Sequence, residues 1–86
     1  MKIDATPIEG KLKKLKKKDA PLFNAVKNKI LQIAGLDLQT IAHFKNLRAP
    51  LNGFKRVHVG SFVLFFKIEG GTAIFTEVLH HDEAYE

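Results

Sequence analysis

Two short runs in the last third of the chain carry its chemistry: Lys55, Arg56 and His58 in one, His80, His81 and Tyr85 in the other. Phosphodiester cleavage in RNA without a metal needs this inventory. A base takes the proton of the 2′-hydroxyl, an acid protonates the leaving 5′-oxygen, and a cation steadies the phosphorane. Imidazole suits both proton steps because it titrates near neutrality. Guanidinium suits the phosphoryl oxygens through its paired donors. A tyrosine ring can stack on a base or donate a proton. The same residue types also decorate solvated strand edges, so types alone leave both readings open.

Two other groupings compete. His80, His81, Asp82 and Glu83 hold metal-ligating side chains, but adjacent strand residues point to opposite faces and spacing places no third ligand. Lys11, Lys13, Lys14, Lys16, Lys17 and Lys18 cover most of one predicted helix. That is a solvated helix face or a surface for phosphates without sequence readout. Its apolar side is too small, and too much needed by the core, for a membrane surface.

Strands must position the first two runs. Phe54–Tyr85 reads as three β-type segments, Lys55–Val59, Phe62–Glu69 and Thr72–His80, broken by Gly60–Ser61 and Gly70–Gly71. Breaks this short make an antiparallel meander. The basic and imidazole groups then converge on one end of the sheet, with Arg56 and His58 on one face by strand period. In the central segment Phe62, Leu64, Phe66 and Ile68 form the face for the helices. Val63, Phe65, Lys67 and Glu69 form an open face that invites a partner and leaves room for a longer side chain at Val63. A two-residue turn at Gly70–Gly71 sets Glu77 against Leu64, and a three-residue turn sets Thr76 there. Because an unpaired buried carboxylate is costly, the longer turn or a bulge is favoured. The register decides which of His80 and His81 reaches the open side.

Upstream, Lys2–Ala5 is a short edge-strand candidate. Thr6-Pro7-Ile8-Glu9 reads as a capped helix start, with Ile8, Leu12 and Leu15 on one face. Asp19 caps a second helix with the stripe Leu22, Val26, Ile30 and Ile33 and a stop at Gly35. Asp37 opens a possible helical turn through Ile41 and Ala42. Phe44 and Leu47 read as core anchors, and Pro50 and Asn52–Gly53 as a loop. The fold class is α+β, a single domain over 1–86 in which a helix hairpin packs on a small antiparallel sheet.

With 86 residues, 45% of them hydrophobic, the chain suits one domain with a limited core. No cysteine is present, which excludes disulfides and thiolate metal sites and suits the cytoplasm. Met1–Pro7 lacks a signal-peptide pattern and no apolar run approaches a membrane span. The net charge of +5 suits an anionic partner, nucleic acid or acidic protein.

The order strand, helix, helix, meander resembles the RelE/ParE superfamily of bacterial and archaeal toxins. Leu47–Gly60 resembles that family's leucine, loop, glycine, aromatic and Arg-x-Arg-x-Gly segment, and His80–Tyr85 resembles its terminal His-Arg-x-x-x-Tyr. The resemblance implies a toxin that cuts ribosome-bound mRNA with no cofactor and pairs with a RelB-like antitoxin. It implies a catalytic set of Arg56, His58, His81 and Tyr85, with RNA bound by Arg48, Lys55, Arg56 and His80. Three positions depart from the pattern. His58 and His81 stand where the family has basic residues, and Val63 stands where an arginine follows the glycine and aromatic. These predict weakened cleavage. The alternative is a ParE-like gyrase inhibitor, or an inactive RelE-fold protein that keeps its antitoxin.

Overall fold

The computed structural model describes residues 1–36 and 54–84. Asp37–Gly53 and Tyr85 lie outside them. With them lie the expectations for Asp37, Ile41, Ala42, Phe44, Leu47, Arg48, Pro50 and the Asn52–Gly53 loop.

The chain opens with strand β1 (Lys2–Asp4), then a 3₁₀ turn over Thr6–Ile8 and helix α1 (Glu9–Lys18). The expected cap by Thr6 is not made. Instead Asp4 Oδ1 accepts the Thr6 backbone N–H at 2.9 Å, so the strand's last residue turns the chain and the 3₁₀ turn leads into α1. Hydrogen bonds from the Thr6 hydroxyl and the Thr6 backbone N–H hold the Asp4 carboxyl below its ordinary value of 3.8.

Helix α2 (Ala20–Ala34) starts as its sequence demands: Asp19 Oδ1 accepts from Leu22 N at 3.1 Å, and Pro21 occupies the first turn. Gly35 closes it with ordinary right-handed dihedrals. Asp19 thus ends one helix and starts the next, which makes the hairpin tight.

Strands β2 (Lys55–Val59), β3 (Phe62–Glu69) and β4 (Thr72–His80) form the expected antiparallel meander with the expected limits. Gly70 and Gly71 both take positive φ, as a type I′ two-residue hairpin turn requires. The sheet order is β1-β4-β3-β2, and β1 runs parallel to β4. The whole sheet is therefore mixed. A parallel neighbour is possible here because the helix hairpin lies between β1 and β4 in the chain, long enough for a crossover.

The core lies between the hairpin and one sheet face. Ile8, Val26, Ile30 and Ile33 meet Val59, Leu64, Phe66, Phe75 and Val78, with the Phe66 and Phe75 rings 5.5 Å apart. Leu12, Leu15 and Leu22 pack at its margin. Phe75 and Val78 are three residues apart and both face inward, which strand alternation forbids. A bulge resolves this. Glu69 pairs with Thr72 across the two-residue turn, but Phe66 pairs with Phe75 and Phe65 with Glu77, leaving Thr76 as the extra residue. Val78, not Glu77, then lies against Leu64. Glu77 is left at the sheet margin in an ion pair with Lys11 of α1, whose Nζ also donates to the Val78 carbonyl at 3.3 Å. β1 covers β4 only from Thr72 to Ile74, so Lys11 serves an edge carbonyl beyond the reach of β1.

No helix among the described residues is long and apolar enough to cross a membrane.

Candidate active site

The bulge at Thr76 decides which histidine reaches which face. A regular ladder from the Gly70–Gly71 turn would have placed His80 on the outer face, away from the helices. The extra residue shifts the register by one and inverts every side chain beyond it. Phe62 pairs with His80, so His80 joins the helix side, its ring edge-on to Phe62 with centroids 5.3 Å apart. His81 leaves the strand and opens a one-turn helix, His81–Ala84. Its backbone N–H donates to the Ser61 carbonyl at 2.8 Å, which ties this turn to the β2–β3 connection.

Tied there, His81 meets His58. Their ring centroids are 5.8 Å apart with planes tilted by 32°. Both side chains are exposed. Arg56 precedes His58 by two residues on β2 and shares its face. In register, Arg56 lies against Phe65 and His58 against Val63. The outer face therefore offers two imidazoles and a guanidinium over an apolar floor.

That floor is closed. Val63 is 0% exposed and Phe65 9%. The expected open face, with both residues awaiting a partner and space for a longer side chain at Val63, is corrected. Val63 sits in the central part of the sheet between His58 on β2 and Leu79 on β4. The valine is thus a packed core residue of the second face.

The groups implicated by sequence divide between the two faces of the sheet. His58 and His81 come together, and Arg56 shares the face of His58. Lys55 pairs with Phe66 and alternates to the other face, so the Lys55–Arg56 dipeptide is not one phosphate clamp. His80 stands on the helix side beside Lys14 and Lys18. Tyr85 and Arg48 lie outside the described residues. Because His80 and His81 diverge, the His80–Glu83 run is a poor metal cage. Asp82 alone lies between them, its Oδ2 3.6 Å from His80 Nδ1 and its Oδ1 4.0 Å from His81 Nδ1.

The neighbourhood of His80 went unread in the sequence. A cleft of ≈ 280 Å³ between α1 and the end of β4 gathers Lys11, Lys14, Lys18, Phe62, His80 and Glu83. The i, i+4 and i, i+7 spacing of the lysines marked one helix face. Only the bulge brings His80 to it.

Residues 6–85 match the family described as the ParE toxin of the type II toxin–antitoxin system, parDE. A Methanocaldococcus jannaschii protein named as toxin RelE4 is 44% identical over 78 residues, covering 87% of this chain and 79% of that protein. An uncharacterized protein of Methanosarcina mazei is 35% identical over 81 residues, 91% of this chain and 90% of the other. In three dimensions the chain is similar to the crystal structure of YafQ from E. coli strain BL21(DE3). The TM-score is 0.61 at 18% identity, over 98% of this chain and 97% of that one. At that identity the likeness is one of fold.

Proposed function

The chain belongs to the ParE toxin family of type II toxin–antitoxin systems, within the RelE/ParE superfamily, and on that premise we propose that it is a metal-independent endoribonuclease acting on ribosome-bound messenger RNA. Membership implies an antitoxin partner. A RelB-like antitoxin and a cytoplasmic site of action complete the reading.

The observation that carries it is the exposed His58–His81 pair, 5.8 Å between ring centroids, on the face shared with Arg56. In the proposed step one imidazole removes the proton of a 2′-hydroxyl. That oxygen forms a bond to phosphorus, the bond from phosphorus to the 5′-oxygen breaks, and the other imidazole gives its proton to the departing oxygen. The products are a 2′,3′-cyclic phosphate and a free 5′-hydroxyl. Arg56 supports the charge on the phosphoryl oxygens. Tyr85 follows the terminal turn and is assigned to positioning the base. Base, acid and cation all come from side chains, so the step is complete without a metal. With Val63 in the floor, no second arginine stands there beside Arg56, which supports slow cleavage.

Cleavage of a translated message by the parent, His58→Ala and His81→Ala tests this. Loss of a positioned general acid or base lowers the rate by about 10²–10⁴-fold. Undiminished cleavage by both variants would remove the site assignment. A parent that arrests growth but leaves the message intact would transfer the toxin to a gyrase-directed or other binding role.

A further inference from the structure

We propose that the cleft between α1 and the end of β4 is a second RNA subsite. The substrate strand passes round the end of the sheet, from the His58–His81 face onto the lysine face. The inference rests on the RNA-cleaving reading above.

Lys11 is committed to Glu77 and the Val78 carbonyl. Lys13 lies 3.7 Å from Glu9, and the Lys16 ammonium lies 5.8 Å from the centre of the Phe23 ring. Lys14 and Lys18 have no acidic partner among the described residues. They stand one helical turn apart on the wall of the cleft, spaced to meet successive phosphates of one strand. Their charges are those an extended polyanion takes up as it releases its counterions.

An aromatic surface lies opposite. His80 stands edge-on to Phe62, and the His80 side chain keeps 41% of its surface exposed. Lysines with no acidic partner among the described residues, beside a part-exposed imidazole, are a combination that holds single-stranded nucleic acid, phosphates on the cations and a base on the ring. Glu83 closes one lip of the cleft. Its carboxylate repels phosphate, so it sets the strand's orientation. Phosphates run on the α1 side, and Glu83 accepts a hydrogen bond from a sugar hydroxyl or a base amino group.

Continuity favours RNA over an acidic peptide as the occupant. His80 and His81 are consecutive, and the Ser61 carbonyl fixes the turn between them. A strand whose scissile phosphate lies at His81 is therefore one residue from the cleft. Chain length then separates the two surfaces. A trinucleotide reaches only the cleavage face, whereas a twelve-nucleotide single strand reaches both.

The test measures binding of labelled three- and twelve-nucleotide single-stranded RNAs at low salt to the parent and to Lys14→Glu/Lys18→Glu. Lys27→Glu/Lys29→Glu on α2 is the control for general charge, and melting curves confirm folding. The expected result is at least tenfold weaker binding of the longer RNA by the cleft variant, with the trinucleotide and the α2 control within about twofold of the parent. Charge neutralisation at two phosphates lowers the salt slope by about 1.4 for a single strand. His80→Ala weakens the longer RNA selectively as well. Equal losses on both RNAs, or equal losses in the α2 control, overturn the subsite in favour of long-range attraction. Unchanged RNA binding with weakened antitoxin binding overturns it in favour of a protein seat. A parent that binds neither RNA and cleaves no message removes the nuclease reading itself. A parent that binds and cleaves while the cleft variant behaves like it removes the subsite alone.

Discussion

At residue scale the site turns on parity. The sequence puts His80 and His81 side by side, and a strand sends neighbours to opposite faces, so only one can join His58. Thr76 settles which. Its bulge keeps Glu77 out of the core and in the same move delivers His81 to the outer face. The cost of burying Glu77 called for a longer turn or a bulge, and the chain keeps the two-residue turn and takes the bulge. Sequence could not find the residue, because Thr76 and Glu77 are both able to stand outside. Val63 is the other lesson. Alternation placed it on the second face, and that face was read as open because Lys67 and Glu69 share it. The structure leaves Val63 with no exposure. Val63→Arg therefore does not restore a useful cation. A buried guanidinium costs on the order of 3 kcal/mol or more when left unpaired. Urea denaturation should show a lower midpoint for this variant, with cleavage no stronger than the parent's. Parental stability combined with faster cleavage would mean that position 63 reaches solvent after all.

At element scale the boundaries were readable where a single residue sets them. Asp19 could be recognised because its carboxylate needs only the backbone three residues on. Asp19→Ala should cost about 1 kcal/mol, measured by chemical denaturation. An unchanged midpoint would show that the hairpin does not depend on its cap. The first helix was harder. Thr6, Pro7 and Glu9 spell a capping box, but Asp4 captures the Thr6 N–H first, and the helix enters through a 3₁₀ turn. Two good caps two residues apart compete, and sequence gives no order between them. The consequence can be read by titration. Asp4 is more acidic in the folded chain than its ordinary value of 3.8. Its contribution to stability is thus fully present above the ordinary carboxylate value and is lost as pH falls through the depressed one. The melting-temperature gap between the parent and Asp4→Ala should narrow on acidification through that range. A gap that widens instead would contradict the sign. The pairing of β1 was not legible in direction: a three-residue strand carries no signal for parallel or antiparallel, and the long excursion through the helices allowed either.

At the scale of the whole molecule, charge and size shape what the partner must do. The chain has 86 residues and a net charge of +5, and among its described residues ten buried side chains form the main core at one sheet face. Such a domain is modestly stable alone, and its excess positive charge works against compaction. The sequence suggested that an open sheet face would supply the motive for partner binding. With Val63 and Phe65 buried, that motive disappears, and the toxin's family membership replaces it. An antitoxin that binds only the folded toxin stabilises it by mass action. At a free concentration about one hundred times Kd the gain is about 2.7 kcal/mol. For a domain of this size each kcal/mol raises the melting temperature by about 4–8 °C, so the shift should lie near 10–20 °C. Calorimetry of the toxin titrated with the purified product of the adjacent antitoxin gene measures it. Raised salt should shrink the shift if lysine–carboxylate contacts carry the binding, because exposed charges more than about 8 Å apart are screened at physiological ionic strength. A salt-insensitive shift would place the contact on apolar surface instead, and no shift at any concentration would separate this toxin from that partner.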